Sequence, residues 1–220
     1  MINAVGGTHH PTLGEKAYLK IRNLILTGRI RPGERLLYRR LVASLNLSPT
    51  PIKEAFTRLE NDGYVVTIPR KGTFARKLSP SEVREVFEIR EMLEGLAARR
   101  ACAAMNEGAL GRMKKINARF TRAAQRGDVR ACTREDFAFH EMLIHLSGNE
   151  KLRVLMKRTD FHLLSIAQSS PRFLRVSGEY SSMHSRIIRA IEDRNGKLAE
   201  RLIREHLRFG LEEVLPSSGA

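Results

Sequence analysis

The stretch Leu47-Ser48-Pro49-Thr50-Pro51-Ile52-Lys53-Glu54-Ala55-Phe56-Thr57-Arg58-Leu59-Glu60-Asn61-Asp62-Gly63 decides the fold. Ile52, Ala55, Phe56 and Leu59 recur at the spacing of a helix that buries one face. Ser48 stands ready to cap it, Pro49 and Pro51 are tolerated in a first turn, and Asp62-Gly63 ends it. Tyr64-Val65-Val66-Thr67-Ile68 then reads as a strand, followed by the turn Pro69-Arg70-Lys71-Gly72 and a second short strand, Thr73-Phe74-Ala75.

Upstream, Ala17, Leu19, Ile21, Leu24 and Ile25 predict a helix from about Gly14 to Thr27, stopped by Gly28. After the turn Arg31-Pro32-Gly33-Glu34 a short helix spans Arg39–Leu45, broken by Asn46-Leu47. Helix, helix, capped helix and basic-tipped hairpin is the order of a winged helix-turn-helix. The capped helix suits a major groove, and Arg70 and Lys71 on a glycine turn can approach phosphate or a minor groove.

The charge agrees. The 220 residues carry a formal net charge of +15. Residues 1–78 hold 14 basic against 5 acidic residues, and residues 79–220 hold 25 against 19. The positive excess is concentrated at the front, which favours a polyanion there, nucleic acid before membrane. Two cysteines, Cys102 and Cys132, make neither a disulfide framework nor a four-cysteine zinc site, and they suit a reducing compartment. No apolar run reaches the roughly 18 residues of a membrane span, and the first residues lack a secretory pattern. The expected location is the cytoplasm.

Lys77-Leu78-Ser79-Pro80 reads as a linker, with Ser79 and Glu82 forming a capping box and Pro80 opening a new helix. The expected division is therefore 1–78 for a winged helix-turn-helix and 79–220 for an all-helical domain. Breaks near Asn106–Gly108, Gly127-Asp128, Gly148-Asn149, Ser170-Pro171 and Asn195-Gly196 predict about six helices there. The chain reads as mainly α.

Four residues of the helical half occupy positions where a core side chain belongs. Asp136 and His140 are one turn apart and share a face with Phe137, Leu143 and Ile144. His184 leads the stripe Ile187, Ile188, Ile191, and His206 lies on that of Leu198, Leu202, Ile203 and Phe209. One reading is a hydrogen-bonded polar core. The other is one divalent cation, with imidazole and carboxylate ligands suited to zinc, nickel or manganese. His140 and His145 imitate the zinc-protease motif HExxH, but one extra residue puts them about 140° apart on the helix. Arg90 interrupts the stripe Val83, Val86, Phe87, Leu93, Ala97, Ala101. It either pairs with Glu94 at i+4 or points inward to receive a carboxylate ligand. Cys102 and Cys132 have no basic neighbour that would mark a nucleophile, and read as core.

The first 78 residues resemble the winged-helix domain of GntR-family bacterial transcription regulators. The likeness rests on Ile30-Arg31-Pro32-Gly33-Glu34-Arg35-Leu36, on Leu47 to Ala55, on Leu59-Glu60-Asn61-Asp62-Gly63-Tyr64 and on Lys71-Gly72-Thr73-Phe74. The rest is similar to the helical effector domain of the FadR subfamily (the FCD type), in its shorter, VanR-like version. Ile89 to Glu94, Asp136 to His140, Ser147-Gly148-Asn149, His184 to Ile191 and Glu205-His206-Leu207 carry that likeness.

The resemblance implies metal ligands at Asp136, His140, His184 and His206, with zinc the first expectation and nickel or manganese also suited. It implies a small effector, often a carboxylic acid, beside the metal, which gives Arg90 an effector-binding role. It places DNA contacts on Arg39, Thr50, Lys53, Lys71 and Gly72; Ser48 and Arg70 complete the DNA-facing set. Pro49 and Lys53 stand where arginines are common, and Leu37-Tyr38 replaces a usual Ser-Glu; lysine lacks the bidentate fork that reads guanine, so the expected operator is one that differs from the family's usual one.

The expected function is a homodimeric regulator, repressing by default, that reads an inverted-repeat operator in double-stranded DNA under control of that effector. A metal-dependent hydrolase or lyase is a weaker alternative, because no general base stands beside the four residues. An architectural DNA binder with a structural metal is the third.

Overall fold

The structure is a computed structural model that describes residues 11–156 and 175–215. The chain divides after Lys77 into two compact units.

The first unit contains α1 (Leu13–Leu26), α2 (Tyr38–Leu45), α3 (Pro49–Asn61), β1 (Val65–Ile68) and β2 (Gly72–Ala75). Thr12 and Glu15 close a reciprocal capping box at the start of α1. Helix α1 packs on α3, where Ala17, Ile21 and Ile25 of α1 and Ile52, Ala55 and Leu59 of α3 are buried. Leu19, expected on that stripe, is 53% exposed. Two residues beyond Ala17 it is rotated about 200° around the helix. Tyr18 is buried instead, and its hydroxyl donates to Asp62 Oδ2 at 2.7 Å.

Ser48 takes the N-cap position of α3 with extended backbone, but its side chain makes no capping bond. A capping oxygen accepts from the N–H of the second or third helical residue. Here the third is Pro51, which has no N–H. Pro51 thus removes one of the two N–H groups open to the expected cap, and Ser48 does not take the other, that of Thr50.

Strands β1 and β2 pair antiparallel from Val65↔Ala75 to Ile68↔Gly72. Arg70 and Gly72 both have positive φ in the connecting turn, 64° and 110°. The φ of Gly72 is one that a side-chain-bearing residue rarely adopts, while a Cβ there would only press on the movable Arg35 guanidinium at 3.0 Å.

The second unit contains α4 (Pro80–Ala104), α5 (Glu107–Gln125), α6 (Val129–Leu146), α7 (150–156), α8 (Ser177–Glu192) and α9 (Gly196–Val214). The Ser79/Glu82 capping box and Pro80 at the first turn open α4 as expected. Asn106, Asp128 and Asn195 cap the N-termini of α5, α6 and α9. The expected break at Ser170-Pro171 lies outside the described residues.

Helix α4 packs along α9, α5 along α6, and α8 lies against α5 and α9. Met113, Phe139, Leu143, Ile187, Ile191 and Ile203 are completely buried in this core. Each contributes about 1.5–3 kcal/mol by leaving water, which offsets the cost of ionisable groups enclosed among them. Cys102 and Cys132 are buried free thiols, and burial raises the pKa of both. Among the described residues no helix is long and apolar enough to cross a membrane.

Candidate metal centre and nucleic-acid interface

Three helices of the second unit bring the four predicted residues to one point. Asp136 and His140 come from α6, His184 from α8 and His206 from α9. One donor atom from each lies within 4.8 Å of every other. His140 Nε2 is 3.1 Å from His206 Nε2, and His184 Nε2 is 3.3 Å from Asp136 Oδ1. The three rings are 0–4% exposed. His145, the second histidine of the protease-like motif, is exposed and lies outside the cluster.

Phe139, rather than the expected Phe137, completes the wall. It is fully buried and stacks on His184 with centroids 4.0 Å apart. Phe120 and Tyr180 meet His184 and His206 edge-on. The aromatic wall holds the rings in place and keeps bulk water away.

The orphaned atoms weigh between a polar core and a cation. As a bare polar network, both ring nitrogens of His184, His206 Nδ1 and Asp136 Oδ1 are buried without a hydrogen-bonded partner. Each such group costs about 1–3 kcal/mol. A cation held by one nitrogen from each ring and the carboxylate satisfies His184 Nε2 and Asp136 Oδ1 together. It also explains why two Nε2 atoms face each other. The donor set of three imidazoles and one carboxylate suits zinc, nickel and manganese alike, so these residues fit a divalent metal.

Behind the cluster lies a second tier that sequence reasoning misses. Glu94 of α4 is fully buried and accepts from His140 Nδ1 in a very short contact. Its other oxygen is 2.5 Å from Arg90 Nη2. A carboxylate on Nδ1 fixes the tautomer, so that Nε2 presents its lone pair to the cluster. A signal for it does exist in the sequence. Val83, Phe87, Arg90, Glu94, Ala97 and Ala101 form one heptad-spaced inward stripe, which makes Glu94 as much a core position as a partner for Arg90.

Arg90 points inward, 3% exposed. It meets Glu94 but remains incompletely satisfied: Nε and Nη2 have no aligned hydrogen bond. The ion-pair and inward readings of Arg90 therefore describe the same side chain.

Electrostatics follow burial. Burial pushes the pKa of His184 and His206 below the ordinary histidine value; for His206 the neighbouring imidazoles add to the effect. Burial alone would raise Asp136 and Glu94. The close approach of His184 and the other surrounding imidazoles holds Asp136 below the usual carboxylate range, and Arg90 and His140 do the same for Glu94.

A pH dependence results. A histidine in the unfolded chain takes up a proton near pH 6.5, whereas the enclosed rings resist it, so metal-free protein loses stability as pH falls through that value. The two depressed carboxylates add stability that disappears only below about pH 4, outside this window. The thermal midpoint of chelator-treated protein should fall between about pH 7 and 5. A flat midpoint would mean the rings are not held neutral.

In the first unit Arg39, Ser48, Thr50, Lys53, Arg70 and Lys71 are exposed and Gly72 is half-buried. Ser48, Thr50 and Lys53 belong to the start of α3, Arg39 to α2, and the rest to the hairpin turn. A cleft of about 450 Å³ between α3 and the hairpin is lined by Arg35, Tyr38, Lys53, Phe56, Gly72 and neighbouring residues. Tyr38 anchors α2 to α3: its ring meets Phe56 edge-on and its hydroxyl donates to the carbonyl of Pro49.

Comparison with known proteins agrees with both units. The FCD domain family matches residues 85–209, and the family described as bacterial regulatory proteins, gntR family, matches residues 13–75. The HTH-type transcriptional regulator YdhC of Bacillus subtilis (strain 168) is 28% identical over 203 residues, covering 90% of this chain and 88% of its own length. The HTH-type transcriptional repressor RspR of Escherichia coli (strain K12) is 24% identical over 209 residues, covering 92% and 89%. The crystal structure of a GntR transcriptional regulator from Rhodococcus sp. RHA1 superposes with a TM-score of 0.83 at 22% identity, covering 94% of this chain and 99% of that one. At that identity the likeness concerns the fold alone.

Proposed function

This chain belongs to the GntR family of bacterial transcriptional regulators, with an FCD domain behind its helix-turn-helix, and from that premise we propose a repressor released from its operator by a carboxylate effector. The family and the relatives are transcriptional regulators, not enzymes. GntR regulators bind DNA and usually act as dimers with small-molecule effectors.

The proposed division of labour is a DNA reader in residues 1–78 and a metal- and effector-binding, dimerising domain in residues 79–220. A cytoplasmic homodimer would read the two halves of an inverted repeat, matching protein symmetry to DNA symmetry. Arg39, Ser48, Thr50 and Lys53 would meet the major groove and its phosphates, and Arg70, Lys71 and Gly72 the adjacent backbone.

The observation that carries the effector reading is the pairing of a four-donor cluster with a buried, incompletely satisfied guanidinium. FCD domains commonly bind metal. Bound by Asp136, His140, His184 and His206, a divalent ion (zinc first, nickel or manganese also suited) would supply positive charge and an open coordination position. Arg90 orients an incoming carboxylate through paired N–H donors, Glu94 holds His140 in register, and the aromatic wall excludes water. An effector shifts the DNA-binding equilibrium only as far as its affinities for the two states differ.

The test is retardation of the chain's own upstream DNA, with a panel of mono- and dicarboxylic acids added. One or more acids should release the wild-type complex and leave an Arg90→Ala complex bound. Retardation that no acid relieves would favour a purely structural metal, a reading supported by four protein ligands being enough to close a tetrahedral site. No protected DNA at all would rule out an operator-binding repressor.

A further inference from the structure

Several cations of the second unit face carboxylates. Arg99 and Arg204 face Glu200, Arg186 and Arg201 face Glu205, Arg208 faces Glu91, and Lys114 faces Glu192. One face of α5 instead gathers its cations into a single row. Arg112, Lys115, Arg119, Arg122 and the C-cap residue Arg126 follow each other at steps of three and four residues, and all are exposed.

At 100° per residue the five positions share an arc of about 80°, and at 1.5 Å per residue the row is about 21 Å long. The acid of α5 is Glu107, one turn before the row begins. Glu135 accepts from Arg119 Nε at 2.6 Å and from Arg134 Nε at 3.2 Å, which joins Arg134 of α6 to the same face. Among the described residues Arg112, Lys115, Arg122 and Arg126 have no carboxylate partner. The opposite side of α5 is fixed in the core by Met113, Ile116 and Phe120, so the row cannot rotate inward.

We propose that this face of α5 is a second DNA-binding surface, sequence-independent, that holds the phosphate backbone of duplex DNA. The proposal rests on the regulator reading above, which makes duplex DNA the chain's partner. A row of point charges about 5 Å apart on one rigid helix is complementary in charge to the dense phosphates of a duplex, and it carries no reading of bases. A lipid surface fits less well. Helices that lie on membranes insert an apolar face, and the apolar face of α5 is already committed to the core.

The experiment compares the full-length wild type, a Lys53→Ala variant and the quadruple variant Arg112→Gln/Lys115→Gln/Arg122→Gln/Arg126→Gln on operator and scrambled duplexes at several salt concentrations. All four sites are exposed, and an unchanged thermal midpoint certifies the fold; an all-lysine version of the row keeps the charge as a second control. Each lost phosphate contact flattens the dependence of log K on log salt by about 0.9. The quadruple variant should therefore show a slope shallower by about 3 to 4 on both duplexes, and the all-lysine version the wild-type slope. Lys53→Ala should weaken operator binding far more than scrambled.

Equal slopes for wild type and quadruple variant overturn the proposal and leave the regulator reading intact if Lys53→Ala still fails on the operator. Row-dependent binding to anionic vesicles with unchanged duplex slopes overturns it in favour of a lipid partner. A wild type that binds neither duplex removes both readings at once.

Discussion

Glu94→Ala should destabilise the second unit by about 3–5 kcal/mol, the cost of leaving one member of a buried ion pair without its partner. Arg90 cannot turn to water, because it is 3% exposed and its remaining donors already lack aligned acceptors. Removal of Glu94 also releases His140 Nδ1, so the ring is free to present either nitrogen to the cluster. Glu94→Gln separates the two effects. It keeps the shape and one acceptor, and should retain the fold while lowering metal affinity about 10- to 100-fold. Chemical denaturation measures the first effect and competition with a metallochromic chelator the second. A Glu94→Ala protein as stable as wild type would mean that the Arg90–Glu94–His140 chain does not hold the core together.

The second large effect concerns the ion itself. Protein purified without chelators or metal resin should carry about one divalent ion per chain by elemental analysis, as a single four-donor site requires. The His184→Ala/His206→Ala variant should carry none. Metal at a hundredfold excess over its dissociation constant adds about 2.7 kcal/mol to stability, so the wild-type thermal midpoint should rise on metal addition while the double variant's stays put. Absence of metal from both proteins would leave the four residues as a polar core with three unsatisfied ring nitrogens, and the sensing mechanism would need another basis.

The winged helix-turn-helix is legible in the sequence because its signals are local. The α3 stripe, the Asp62-Gly63 stop and the basic glycine turn each act within a few residues, as do Ser79 and Glu82 at the start of α4. The four cluster residues are legible because helical periodicity places each on an inward face, although only the packing of α6, α8 and α9 shows that the faces meet. The failures are equally physical. Phe137 and Phe139 lie on either side of the same stripe, and which one turns inward depends on how α6 packs, beyond what period alone gives. Glu94 reads as half of a common i,i+4 pair, a pattern that usually lies in solvent, whereas here the helix stripe carries both charges into the core. Ser48 is a cap by residue type, yet its side chain makes no capping bond, Pro51 having removed one of the two N–H groups it could take.

Pro49 and Pro51 have a consequence beyond that missing cap. Each fixes φ near −65° in the unfolded chain as well as in the folded one. The entrance to α3 is therefore largely ordered before any partner arrives, and folding and association both have less conformational entropy to remove there. A cap is a bond that can be competed away by a phosphate or by water. A ring closed on its own backbone cannot be. With its hydroxyl free of capping duty, Ser48 is available to a ligand, and the geometry around it does not loosen when the hydroxyl is engaged.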